Sequence, residues 1–101
     1  MPKGYAIFTE DIHDTDSYQR YVEQALPTVL ASGGRPIVVE DAPDLIEGRW
    51  HGPRTVILEF ESVDEARAWY ESPEYQAIVG QRHACSECSG IIAGGFELPQ
   101  D

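Results

Sequence analysis

Residues Arg54–Gln76 read RTVILEFESVDEARAWYESPEYQ, and the character of the chain changes twice within them. Thr55-Val56-Ile57-Leu58 is a β-branched and aliphatic run, the composition of a strand. Ser62-Val63-Asp64-Glu65 is a capping box: the serine oxygen can accept from the Glu65 amide while the Glu65 side chain reaches back to the amide of Ser62. The helix it opens carries Val63, Ala66, Ala68, Trp69 and Tyr70. Ser72-Pro73 then restarts the helical pattern, with serine as N-cap and proline at the first helical position, where its missing N–H leaves no bond unmade. That segment is predicted to run to about Cys85, with Tyr75, Ile78 and Val79 inward. Glu59 is the misfit, a carboxylate inside an apolar strand on the same face as Thr55 and Ile57.

Upstream, Gly4–Glu10 alternates and predicts a strand with Tyr5, Ile7 and Thr9 on one face and Ala6, Phe8 and Glu10 on the other. From about Asp16 to Ser32, the spacing of Tyr18, Tyr21, Val22, Ala25, Leu26, Val29 and Leu30 predicts an amphipathic helix. Pro27 should kink that helix, and Gly33-Gly34 ends it. Arg35–Asp41 reads as a strand opened by Pro36, and Leu45–Trp50 as its continuation or a short extra strand. The next strand is predicted over Arg54–Glu61. Downstream, Ser89–Leu98 reads as a last strand, where Gly94 and Gly95 mark a bulge or a close backbone approach.

The order β-α-β-β-α-β defines an α+β, ferredoxin-like unit, a four-stranded antiparallel sheet with helices on one face, and 101 residues make one domain of it. The other face should present Tyr5, Ile7, Ile57 and part of Ile37–Val39, too much apolar surface to leave wet. A homodimer packed through that open sheet face covers it most simply.

A formal charge of −11 and a pI near 4.4 exclude the basic footprint of a nucleic-acid binder and disfavour an anionic membrane surface. The acidity serves solubility, or suits a saline cytoplasm where salt screens it. Six arginines stand against the single Lys3. Met1-Pro2-Lys3-Gly4 leads into a strand pattern with no apolar leader, so a cytoplasmic location with Cys85 and Cys88 reduced is expected.

The string Phe60-x-Ser62-x-x-x-Ala66-x-x-Trp69-Tyr70-x-Ser72-Pro73-Glu74-Tyr75-Gln76, followed by Arg82, resembles the family called domain of unknown function 1330. Gly4-Tyr5, the Gly33-Gly34-Arg35 turn and Glu47-Gly48 add to the likeness, which spans nearly the whole chain. The resemblance implies the dimeric α+β barrel superfamily, in which two ferredoxin-like sheets close on one another and each protomer keeps a pocket beside its sheet. Relatives there include cofactor-independent monooxygenases, ring isomerases, chlorite-type haem enzymes and ligand-sensing domains. Ala84-Cys85-Ser86-Glu87-Cys88 departs from the family pattern.

Arg82 is the natural partner for Glu59, since a guanidinium can grip a carboxylate with a two-pronged fork. The pair is either a structural lock or the polar end of a pocket holding an aromatic or carboxylate ligand, with Trp50, Glu47 and Tyr70 as further lining. A desolvated Glu59 could serve as a general base, and His83 is the other acid/base candidate, ahead of His13 and His51. These would act in a cofactor-independent enzyme of monooxygenase or isomerase type, the alternative to a binding protein. His83-x-Cys85-x-x-Cys88 offers three metal ligands at best, short of a four-ligand zinc site. Its place at a helix C-terminus raises rather than lowers a thiol pKa, against a redox role. No glycine-rich phosphate loop is present, and no cofactor is expected.

Overall fold

The computed structural model describes residues 2–99. Its elements are β1 (Gly4–Ile12), α1 (Thr15–Ala31), β2 (Arg35–Glu40), β3 (Arg54–Phe60), α2 (Val63–Glu71), α3 (Pro73–Gln76), α4 (Val79–Cys85) and β4 (Ser86–Gly94). The strands form one antiparallel sheet in the order β2-β3-β1-β4, the ferredoxin-like arrangement.

Local chemistry sets the helix ends. Asp14 caps α1, accepting from the Ser17 amide at 3.1 Å and the Ser17 hydroxyl at 2.8 Å. Those two bonds hold the Asp14 carboxyl below its usual range. At the other end Gly33 adopts φ +78, and the Gly34 amide returns to the Val29 carbonyl at 2.9 Å. Ser62 caps α2 through the Glu65 amide and Ser72 caps α3 through the Tyr75 amide, as the sequence predicts, but the reciprocal bond of the capping box, from the Ser62 amide to the Glu65 carboxylate, is not formed among the described residues. The predicted helix from Ser72 to Cys85 is instead two pieces. The Ile78 amide bonds to Tyr75 rather than to Glu74, a tightened turn that breaks the ladder before Val79.

Trp69 lies at the centre of the core, with its ring 4.2 Å from Tyr75, 5.5 Å from Phe60 and 6.3 Å from Phe8 between centroids. Its indole N–H donates to Thr28 Oγ1 at 3.0 Å, so burial leaves no donor unmet. Tyr21 and Tyr75 join hydroxyl to hydroxyl at 2.6 Å. Gly4 is required here: a Cβ would stand 2.3 Å from the Ser62 carbonyl oxygen, where β1 passes under the start of α2.

Several predicted boundaries move. β1 runs two residues further, to Ile12, because β4 pairs with it from Ser86 onward, Ile12 facing Ser86. β4 therefore begins before Ser89 and ends at Gly94, and Cys88 is a strand residue rather than part of a turn. Gly95 makes the close approach that its position implies: its amide donates to the Lys3 carbonyl at 2.8 Å, and a Cβ would meet the Tyr5 ring at 3.1 Å. Leu45–Trp50 forms no strand and belongs to the loop between β2 and β3.

The open face carries three aligned rows. Arg35, Glu59, Tyr5 and Ala93 make the first, and Val38, Ile57, Ile7 and Ile91 the second. The third is Glu40, Thr55, Thr9 and Ser89. A register shift between Pro36 and Val38 brings Val38 into line with Ile57. A band of four β-branched side chains thus crosses the whole sheet between two polar rows, on the face that no helix covers.

Candidate functional site

On the helix-covered face the same register aligns Arg54, Glu10 and Cys88 across β3, β1 and β4. Glu10 is 2% exposed. A carboxylate so placed must be paired or lose its charge. Tyr18 of α1 donates its hydroxyl to Glu10 through a short hydrogen bond, and the phenol is held protonated, above its ordinary pKa, by burial and then by that bond. Arg54 approaches Glu10 at 3.6 Å, donates to the Tyr18 oxygen at 3.2 Å and grips Asp41 at the solvent end.

Arg82 of α4 is the third group at Glu10, with its Nη1 3.8 Å from the carboxylate. Its residue is 3% exposed, and neither Nε nor Nη1 has a hydrogen-bond partner. Nη2 lies 3.4 Å from His83 Nε2. The guanidinium rests on the Phe8 ring, 4.6 Å from its centroid, a cation–π seat. Phe8 can lie there because its neighbour on β4 is Gly90, where a Cβ would come within 2.6 Å of the ring. Burial works against the charge of Arg82, but Tyr75, Tyr21, Cys88 and Glu10 more than offset it and hold the pKa above its usual value.

Beside Arg82 a cavity of about 310 Å³ opens between the β1–β4 half of the sheet and helices α2 and α4. Phe8, Tyr70, Arg82, His83 and Cys88 line it, with Arg67 also on its wall. A second, apolar cleft of about 90 Å³ lies under α1, where Val22, Leu26 and Val56 lead down to Glu10 and Arg54.

The expected Glu59–Arg82 pair does not form. Glu59 is on the open face, where Arg35 takes one carboxylate oxygen and the Tyr5 hydroxyl donates to the other at 3.1 Å. Arg82 is on the opposite side of the sheet, so no side-chain length can join them. Of the predicted lining, Tyr70 and His83 do reach the cavity beside Arg82. Trp50 and Glu47 belong to the β2–β3 loop, and the Trp50 indole donates to Thr55 at 2.9 Å. His13 continues from β1, its amide bonded to the Cys85 carbonyl. His51 lies in the same loop as Trp50. His83, Cys85 and Cys88 are not brought together as a metal-ligand set among the described residues. Cys85 closes α4 at 3% exposure, with its thiol pushed up by burial, while Cys88 faces the cavity. Glu10 is not among the candidate site residues named from the sequence. The signal was present, since it shares a strand face with Ala6 and Phe8, and a charge at a core position calls for a partner.

A family model described as domain of unknown function (DUF1330) matches residues 3–96. The chain belongs to the DUF1330 family. No curated protein matches this DUF1330 sequence. Among solved structures, it is similar to a protein of unknown function from Rhodopseudomonas palustris, at 15% identity and a TM-score of 0.78, over 96% of this chain and 85% of that one. It is also similar to SnoaB, a cofactor-independent oxygenase from Streptomyces nogalater, at 12% identity and a TM-score of 0.70, over 100% and 97% of the two chains. A dimeric ferredoxin-like protein of unknown function from Thermobifida fusca aligns at 14% identity and a TM-score of 0.63, over 92% and 91%. At these identities the likeness speaks to the fold. Among the described residues of the DUF1330 chain, no helix is long and apolar enough to cross a membrane.

Removing the charge of Glu10 should be costly, because the buried Arg82 guanidinium and the half-buried Arg54 guanidinium converge on it. Glu10→Gln is expected to cost about 3 kcal/mol or more in chemical denaturation, the range for breaking a buried ion pair from one side. A loss below about 1 kcal/mol would mean that the cluster is not electrostatically closed.

Proposed function

We propose that this DUF1330 protein is a homodimer that holds a small organic acid in the cavity beside its sheet. One observation carries the ligand: a guanidinium 3% exposed, with two nitrogens unbonded, at the wall of a cavity of about 310 Å³. Buried donors are rarely left unmet, and a carboxylate is the acceptor whose geometry matches a guanidinium edge. Phe8 and Tyr70 supply aromatic surface, and the volume, at the small end of ligand pockets, suits a single-ring acid.

The dimer rests on the band of Val38, Ile57, Ile7 and Ile91, with Ile91 59% exposed in the single chain. A second copy laid on the same face would bury the band against itself and keep the polar rows of Arg35 and Glu40 at the rim. Phe8, Arg82, His83 and Cys88 set the cavity on the helix side of the sheet, and Ile91 at the β4 edge belongs to both its lining and the band, so a second copy would border the cavity at that edge. The dimeric character of the Thermobifida neighbour supports this reading.

Thermal unfolding with benzoate and with its neutral counterpart benzamide tests the pocket. Benzoate at about 100 times its Kd should stabilise the protein by about 2.7 kcal/mol. Benzamide should shift it far less, and Arg82→Met should erase the difference. No shift with benzoate or with smaller carboxylates would refute the ligand reading. Sedimentation at low micromolar concentration should show a dimer that Ile7→Glu converts to monomer, and a wild-type monomer would refute the interface.

A further inference from the structure

Cys88 stands in the same cavity as the Arg82 guanidinium, which pairs with Glu10 at 3.8 Å and whose Nε and Nη1 make no hydrogen bond. It is half-buried on β4, facing Glu10 across the ladder, and it shares the cavity wall with Arg82, His83 and Tyr70. The other thiol, Cys85, is buried in the core and closed off from the cavity, donating weakly to the Arg82 carbonyl at 3.6 Å. The chain thus offers one accessible thiol beside one buried cation with free donors.

We infer that the cavity is an anion-directed thiol site, in which Arg82 holds a carboxylate and Cys88 attacks an electrophilic carbon carried by the same ligand. This rests on the carboxylate reading above and narrows it to acids with an activated carbon close to the carboxylate, conjugated enoates foremost. In that addition the sulfur forms a bond to the β-carbon, and the π electrons of the C=C move to the α-carbon. A proton equivalent to the one lost from the thiol then returns there, so nothing is oxidised or reduced overall. His83, at the cavity wall, is placed to hand on that proton.

Charges of both signs surround Cys88: Glu10 in the same ladder row and Arg82 across the cavity, with Asp11, Glu87 and His51 around a second recess that Cys88 also lines, while Arg54 is shared between Glu10 and Asp41. Tyr70 and Arg67 face the same space, with Arg67 also reaching Glu71 at 3.8 Å. The directing force is therefore expected on the incoming anion, more than on the thiol itself.

Alkylation by iodoacetate and iodoacetamide separates the two effects, since the reagents deliver the same electrophilic carbon with and without a carboxylate. In each, sulfur displaces iodide. Rates at Cys88 are to be read by peptide mass spectrometry on the intact chain, with N-acetylcysteine as the reference thiol. Relative to that reference, the iodoacetate-to-iodoacetamide ratio should rise on the order of tenfold, a bias of about 1.4 kcal/mol. Benzoate should protect Cys88, and Cys85 should stay unlabelled. Arg82→Met should return the ratio to the reference value. Because that variant leaves Glu10 short of a partner and could unfold, protection of the wild type by benzoate serves as the second readout. A wild-type ratio equal to the reference, or labelling of Cys88 that benzoate leaves unchanged, overturns the inference. If benzoate still raises the unfolding temperature in that case, only the thiol role falls. If it does not, the carboxylate site itself falls.

Discussion

Glu10 is an acidic side chain in the interior of a small sheet-and-helix sandwich, and three elements converge on it. β3 brings Arg54 across the ladder, α1 brings the Tyr18 hydroxyl and α4 brings Arg82. Each of these groups would be costly to bury alone. Together they fix how α1 and α4 sit over the strands, because the polar ends of their side chains must converge on one point. Arg82 is drawn to Glu10 by charge at 3.8 Å rather than by a hydrogen bond, on a ring that Gly90 makes room for. That geometry keeps the cation in place and leaves Nε and Nη1 without a hydrogen-bond acceptor.

The sheet then separates two tasks. Its helix side holds the charged cluster and the cavity beside it. Its open side holds a hydrophobic band that runs unbroken from β2 to β4, bordered by the Arg35–Glu59–Tyr5 row. Because alternate residues point to opposite faces, a single strand serves both: Phe8 and Glu10 look toward the helices, while Ile7 and Thr9 look away. The two tasks meet at the β4 edge, where Ile91 of the band also lines the cavity.

Much of the fold was legible in the chain because it is written locally. The caps at Ser62 and Ser72, the Gly33-Gly34 stop and the alternation of Gly4–Glu10 are signals carried within a few residues, and the structure places them there, with only the serine half of the Ser62 capping box formed. The open-face residues Tyr5, Ile7 and Ile57 follow from the same alternation. The site was less legible because it depends on register between distant segments. Glu59 and Arg82 both stood out as a carboxylate and a cation, but one falls on each side of the sheet, and only pairing across strands decides that. Glu10 and Arg54 are 44 positions apart in numbering and opposite one another in the ladder. Cys88 falls outside the predicted strand Ser89–Leu98 because the start of β4 is set by its pairing with the end of β1, which no local pattern in Ser86–Ser89 announces.

The central claim is that Glu10 positions Arg82 while leaving its donors free for an acid. The side-chain N–H signals of the arginines in an isotopically labelled sample report on this directly as benzoate is added. The Arg82 Nε–H resonance should shift progressively, with slowed exchange with water, while that of Arg20, exposed on α1 away from the cavity, stays put. An Arg82 resonance that is unmoved at saturating benzoate, or that moves no more than that of Arg20, would contradict the claim.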